Sequence, residues 1–180
     1  RGGETVMGAI GGKIVPTRDI PTSAERDIPT ATDPAIRGIA EYDLLILPGG
    51  AKAMEYMRQD TGLLAYISRF HQYGGVIGAI CHGAQLLISA HLVKGRRISG
   101  YYSIKDDINN AGGTYVDAPF VIDDRIITSP HYKHLGPWMK EVIFITAMHF
   151  PWDASLRGAK VDRPSLTQTP TALDAHLREW

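Results

Sequence analysis

The chain has one cysteine, Cys81, which lies in the segment AICHG at residues 79–83, next to His82. A nucleophile flanked by small residues, between an apolar run and a helical pattern, is typical of a nucleophile elbow. In such a turn the reactive side chain projects from the edge of a sheet. A helix N-terminus behind the sulfur and a histidine beside it both favour the thiolate over the thiol. The pattern predicts a reactive thiol, and the alternative is a buried structural cysteine.

His82 is the first candidate for the general base. Consecutive residues of a helix do not face each other, so His82 reaches the sulfur only if the strained turn directs its ring back. The alternative is a surface histidine that hydrogen-bonds near the helix start. His131 and His134, which follow the segment ITSP, are alternative bases. The seven histidines are scattered without HxxxH spacing, so we expect no metal site.

The segment LPGG at residues 47–50 closes a second apolar run. Gly49 and Gly50 allow backbone N–H groups to approach a reacting carbonyl, and with the amide of His82 they would form an oxyanion hole. Taken alone, two glycines after a strand are an ordinary turn. Their pairing with AICHG at the end of an adjacent strand predicts a shared site.

The hydrophobic pattern predicts the elements that position these residues. Residues 44–47 and 76–80 are short continuous apolar runs, as expected for strands buried inside a parallel sheet. Between them, apolar residues at helical spacing over 63–70 end at Gly74 and Gly75, which is a helix C-terminal signal. The order strand, helix, strand, helix predicts a parallel sheet covered by helices on both faces, with the site at the carboxyl ends of the strands.

The following segments are less regular. We expect a short strand at 96–100, a helix over 102–113, and a β-pair over 115–130 that turns at Asp123 and Asp124. Residues 130–150 predict a closing helix. Its apolar side would carry Leu135, Trp138, Met139, Val142 and Ile145.

Composition limits the classes of function. A chain of 180 residues that is 44% hydrophobic has the size and apolar content of one globular domain. Its 19 basic and 19 acidic side chains form no long basic block, which argues against nucleic-acid binding. No stretch resembles a secretory signal or a membrane span, and one cysteine cannot form an internal disulfide. We therefore expect a cytoplasmic protein whose partners are small molecules or other subunits.

These motifs together resemble the ThiJ/PfpI superfamily, nearest its PfpI-type intracellular proteins with a Cys-His elbow. The resemblance is dense from Glu41 to Ile145. It implies a flavodoxin-like three-layer α/β sandwich with a mostly parallel sheet, related to class I glutamine amidotransferases. It also implies homo-oligomers with active sites near subunit contacts, and chemistry without a cofactor. The segments that carry it are YDLLILPGG, GGVIGAICHGAQLLISAHLVKGRRISGY, IKDDINNAGGTYVD and ITSP.

The resemblance also implies roles for single residues. Cys81 matches the family nucleophile, His82 its base and Gly50 the oxyanion-hole glycine. Glu55 matches the acid that a neighbouring subunit lends to complete a Cys-His-Glu triad. The alternative for Glu55 is a solvated carboxylate at a helix start.

Substrate-pocket candidates are aromatic residues near the expected strand ends, and ordinary packing or interface roles are the alternative. They are Tyr101, Tyr102, His131 and Tyr132.

Residues 1–20 depart from the family pattern. Family members begin with a strand, a helix that carries a sulfur-supporting glutamate, and a second strand, whereas RGGETVMGAIGGKIVPTRDI resembles the extended hairpin that follows these elements. We therefore expect residues 1–150 to be a family domain without its first elements. A fragment, a second polypeptide that supplies the strands, strand exchange between subunits or a rearranged fold would explain this. Residues 151–180 are expected to be a C-terminal extension that contributes to an interface.

Three functions stay open. The first is conversion of a reactive carbonyl such as methylglyoxal to a hydroxy acid, as in glyoxalase III enzymes. The second is hydrolysis of peptide or amide bonds through an acyl-enzyme. The third is a non-enzymatic stress protein in which Cys81 is reversibly oxidised. A cysteine-dependent enzyme, either hydrolase or glyoxalase-like lyase, is the favoured interpretation.

Overall fold

A computed structural model describes the backbone of residues 6–7 and 13–14 and all of residues 42–150. Short strands and helices alternate along the chain. The strands are β1 (Val6–Met7), β2 (Lys13–Ile14), β3 (Leu44–Leu47), β4 (Val76–Ile80), β5 (Arg97–Ile98), β6 (Thr114–Tyr115), β7 (Val121–Asp123) and β8 (Ile126–Ser129). The helices are α1 (Ala51–Met57), α2 (Thr61–Gln72), α3 (Ala84–Ser89), α4 (Lys105–Asn110) and α5 (Leu135–His149). Single 3₁₀ turns at Cys81–Gly83, Tyr102–Ile104 and Tyr132–His134 precede α3, α4 and α5.

The main sheet has the strand order β3-β4-β8-β7. β4 is central and pairs in parallel with β3 and β8, while β7 pairs antiparallel with β8. The β7–β8 turn passes through Asp124, whose φ of 55° is left-handed. β1 and β2 form an antiparallel pair, as expected for a hairpin, and β5 pairs in parallel with β6. The predicted α/β fold with a mostly parallel sheet is therefore confirmed.

The helix that links β3 to β4 has clear start and stop signals. The side chain of Asp60 caps α2 by accepting a hydrogen bond of 3.0 Å from the backbone N–H of Leu63. At the other end Gly74 adopts a left-handed φ of 86°, which reverses the chain into β4. The helix delivers Ile67 and Phe70 to the core, where both are almost completely buried.

All five residues of β4 are buried, because the strand lies between its two neighbours with helices above and below. Gly78, at its centre, leaves room for α5: a Cβ there would lie 3.0 Å from the ring of Trp138. The indole N–H of Trp138 donates to the carbonyl of Ile127 in β8 at 3.0 Å. Leu135 is 48% exposed, which corrects its predicted place on the apolar side, because α5 begins there and first packs one turn later at Trp138.

A polar network lies away from Cys81, where α2 and the β7–β8 turn meet the segment before β5. Arg96 donates to Asp123 at 2.9 Å and to Nε2 of His71 at 3.1 Å. Since arginine can only donate, Nε2 accepts and the proton of neutral His71 lies on Nδ1. Burial, together with the charges of Arg125 and Arg96, lowers the pKa of His71 to about 4. Desolvation thus keeps this histidine neutral at pH 7.

Within the described residues, every helix is too short or too polar to cross a bilayer. The C-terminal extension predicted at 151–180 lies outside the described residues.

Candidate active site

The turn after β4 presents Cys81. Cys81 has a left-handed φ of 60°, which few residues other than glycine adopt. It opens the 3₁₀ turn Cys81–Gly83, which runs directly into α3. This is the strand–turn–helix geometry of a nucleophile elbow, with the strained residue at the position that the nucleophile takes in such turns.

The glycine that ends the elbow is required by packing. A Cβ on Gly83 would overlap the carbonyl oxygen of Leu47 and lie 2.9 Å from that of Pro48. Both oxygens belong to fixed backbone, so a side chain at residue 83 would push the elbow away from the end of β3. The tight turn and the close approach of two strand ends therefore depend on the same residue.

The turn directs His82 toward the sulfur. Nδ1 of His82 lies 3.4 Å from Sγ of Cys81, within hydrogen-bond reach for sulfur. Both residues are half-buried, so the thiol is accessible rather than sealed in the core. Burial lowers the pKa of His82 below its usual value of 6.5, which leaves a neutral ring to accept a proton near pH 7.

The glycines after β3 lie beside this pair. A Cβ on Gly49 would be 2.7 Å from Cβ of Cys81 and 3.3 Å from its sulfur, so the backbone of Gly49 packs against the side chain of Cys81. Gly50 follows with a left-handed φ of 113° and caps the N-terminus of α1. The backbone next to the sulfur is thus Gly49, while Gly50 directs the chain into α1.

The four aromatic pocket candidates form one connected set of ring contacts, called the row of rings below, which meets His82 at Tyr101 and branches there. The ring of Tyr101 lies 4.7 Å from that of His82, and Tyr102 lies 4.4 Å from Tyr101. On the other side His131 lies 5.9 Å from Tyr101, and Tyr132 lies 4.0 Å from His131. Tyr102 and Tyr132 are 71% and 75% exposed, so two rings of this set are largely open to solvent.

A serine that is not among the candidates predicted from the sequence also contacts His82. The hydroxyl oxygen of Ser103 lies 3.4 Å from Nε2 of His82. Serine is common in turns, and the position of Ser103 directly after Tyr101 and Tyr102 does not indicate that it reaches the elbow.

The remaining candidates make no hydrogen bond with the sulfur in the part of the chain that the structure describes. Glu55 is the fifth residue of α1, with an exposed side chain, and no described residue contacts its carboxylate. His131 accepts a hydrogen bond from the backbone N–H of Lys133 at 3.2 Å, and its ring contacts those of Tyr101 and Tyr132. His134 is the N-cap of α5. Among residues 42–150, no three histidine, cysteine or acidic side chains converge as a metal site would require.

Comparisons with known proteins identify relatives of this chain. Deglycase TK1284 from Thermococcus kodakarensis is 39% identical over 103 residues, which are 57% of this chain and 61% of that protein. Protein/nucleic acid deglycase 2 from Escherichia coli is 41% identical over 105 residues, 58% of this chain and 60% of that protein. This chain thus covers less than two thirds of the length of either relative.

A solved structure has a similar fold, and a family model matches most of the chain. Schizosaccharomyces pombe DJ-1 superposes with a TM-score of 0.65 at 20% identity, over 79% of this chain and 70% of that structure. The family model of the DJ-1/PfpI family matches residues 4–144, which contain the elbow, the glycines after β3 and the row of rings. The chain belongs to the DJ-1/PfpI family.

Proposed function

We propose that this protein is a cysteine-dependent enzyme of the DJ-1/PfpI type that acts on reactive carbonyls and converts methylglyoxal to lactate. Cys81 is the nucleophile and His82 is the base. The observation that carries the proposal is the 3.4 Å contact between Sγ of Cys81 and Nδ1 of His82 on a left-handed turn. The names of the relatives, which are deglycases, support carbonyl chemistry.

The first step is addition to the aldehyde. Nδ1 of His82 accepts the thiol proton, and the thiolate forms a carbon–sulfur bond with the aldehyde carbon. The electron pair of the carbonyl moves to its oxygen, which takes the proton from the imidazolium to give a hemithioacetal. The backbone N–H groups of Gly50 and His82 are proposed to stabilise the negative oxygen during this step.

The second step moves hydrogen within the substrate. His82 removes the proton from the former aldehyde carbon and delivers it to the neighbouring carbonyl oxygen, which gives an enediol. A proton then adds to the adjacent carbon while the hydroxyl on the sulfur-bearing carbon loses its own, which leaves a lactoyl thioester on Cys81. Water then cleaves the thioester and restores the thiol. One carbon is oxidised while its neighbour is reduced, so the net reaction consumes only water and needs no external oxidant.

Two further features support a substrate site at Cys81 and His82. The row of rings is proposed as the wall of the substrate pocket, because the ring of Tyr101 contacts both His82 and His131. Glu55 is proposed to act from a neighbouring copy in a homo-oligomer, since its carboxylate is exposed and contacts no described residue of its own chain.

The test is lactate formation from methylglyoxal, followed enzymatically, by the parent and three variants. Cys81→Ser should abolish turnover, and His82→Gln should lower it by about a hundredfold or more. His91→Asn, which changes an exposed histidine that also has a left-handed φ of 59°, is the matched control and should keep parental activity. Turnover by Cys81→Ser, or cleavage of peptide amides without lactate formation by the parent, would overturn the proposal.

A further inference from the structure

His82 makes a second polar contact at its other ring nitrogen. Nδ1 lies 3.4 Å from Sγ of Cys81, and Nε2 lies 3.4 Å from the hydroxyl oxygen of Ser103. A catalytic histidine is commonly oriented by a third group at the nitrogen that does not face the nucleophile. No carboxylate among the described residues contacts His82, so within this part of the chain Ser103 takes that place.

We propose that Ser103 is a positioning residue that holds His82 in the tautomer able to deprotonate Cys81, a role that rests on the proposed function. A neutral imidazole has one N–H and one acceptor nitrogen. To accept the thiol proton Nδ1 must be the acceptor, so Nε2 carries the hydrogen and donates to the hydroxyl oxygen of Ser103. After proton transfer both ring nitrogens donate, and the bond to Ser103 persists. The hydroxyl thus serves both protonation states without moving.

The loop that carries Ser103 is fixed to the elbow. The backbone N–H of Tyr101 donates to the carbonyl of Cys81 at 3.3 Å. Ile104, the residue after Ser103, is only 2% exposed and anchors the loop in the core. The ring of Tyr101 restrains the plane of the imidazole, but a ring face does not distinguish one nitrogen from the other. Among the described residues of its own chain, the hydroxyl of Ser103 is therefore the contact that selects the tautomer of His82.

An acceptor at Nε2 also favours the charged pair. A hydrogen bond from an imidazolium is stronger than one from a neutral ring, so Ser103 stabilises the thiolate–imidazolium form and opposes the effect of burial. The titratable groups around His82 are Cys81 on the same turn, Tyr101 and Tyr102 on the next loop, and His131 beyond Tyr101.

The experiment uses the single cysteine as its own reporter. The rate of alkylation of Cys81 by iodoacetamide is measured on the folded protein between about pH 5 and 9. Ser103→Ala should lower the rate at pH 7 by about threefold to tenfold and move the midpoint of the profile to higher pH. Ser103→Thr keeps the hydroxyl and should restore the parental profile. Thr114→Ala, which removes another exposed hydroxyl in β6, is the matched control and should not change it.

A second measurement reads the tautomer directly. Nitrogen-15 NMR of the His82 ring should show hydrogen on Nε2 in the parent and a mixture of tautomers in Ser103→Ala. A parental alkylation profile and a single tautomer in Ser103→Ala would overturn the role of Ser103. Alkylation and NMR do not require turnover, so a parent protein that fails to make lactate would refute the proposed reaction while leaving these two measurements decisive for Ser103.

Discussion

The backbone of Gly83 lies directly against the carbonyl oxygen of Leu47, with no room for a methyl group between them. Gly83→Ala should therefore destabilise the fold by about 1–3 kcal/mol, because neither backbone segment can yield without disturbing β3 or the elbow. Urea denaturation measures this change. Gly136→Ala is the control, since nothing lies within 4 Å of a Cβ at that position in α5, and it should be neutral or stabilising by up to about 1 kcal/mol. Equal stability of the two variants would contradict the packing argument.

His71 should make the fold sensitive to moderate acid. Its pKa of about 4 lies below the ordinary value of 6.5, so between these values the unfolded chain binds a proton that the folded one does not. Stability is then complete above pH 6.5 and falls as the pH decreases to about 4, by about 3 kcal/mol. His71→Gln should flatten this part of the stability curve, as measured by urea denaturation at several pH values. A variant with the parental acid sensitivity would show that other groups dominate this range.

The exposed tyrosines should affect substrate binding more than folding. Tyr102→Ala and Tyr132→Ala should each raise KM for the carbonyl substrate about threefold to tenfold, because each exposed ring belongs to the proposed pocket wall. Their melting temperatures should stay near that of the parent. Tyr73→Ala changes a partly exposed tyrosine at the end of α2, near the opposite end of β4, and should leave KM unchanged. A change in kcat alone would argue against a binding role for the row.

Glu55 offers a test of action between subunits. Glu55→Gln should reduce turnover at least about tenfold without loss of stability, because the side chain is exposed. Mixing Glu55→Gln with Cys81→Ser protomers should restore activity to about a quarter of the parental value in a symmetric dimer, since one site in each mixed pair is complete. Asp106→Asn, an exposed carboxylate in α4, is the control. If mixing the two variants does not restore turnover, Glu55 does not act across a subunit contact.

Local patterns predicted the elements on which the site is built. Continuous apolar runs mark strands buried on both faces, and β3 and β4 are such strands. The small residues around Cys81 predicted a tight turn, and the left-handed φ of Cys81 and the steric demand at Gly83 follow from the same pattern. These features depend on residues close together in the chain, so local sequence patterns are enough to predict them.

Contacts between distant segments could not be predicted in the same way. Ser103 reaches His82 because the loop after β5 folds back onto the elbow, and no spacing of residue types reports that approach. The exposure of Leu135 likewise depends on where α5 meets the sheet rather than on helical periodicity. Residue type and the expected strand ends predict aromatic residues near the site. Which rings contact each other depends on how separate loops pack together, as for Tyr101 with His82 and His131.

The left-handed turn at Cys81 also bears on the order of events during folding. An isolated chain does not favour a φ of 60° at a cysteine, so the turn persists only once the surrounding structure holds it. That structure comes from segments far apart in the chain, and such long-range contacts tend to form slowly. Newly made chains would therefore pass through a period in which Cys81 and His82 are not yet paired, and the 3.4 Å contact between them would mark the arrival of the native state.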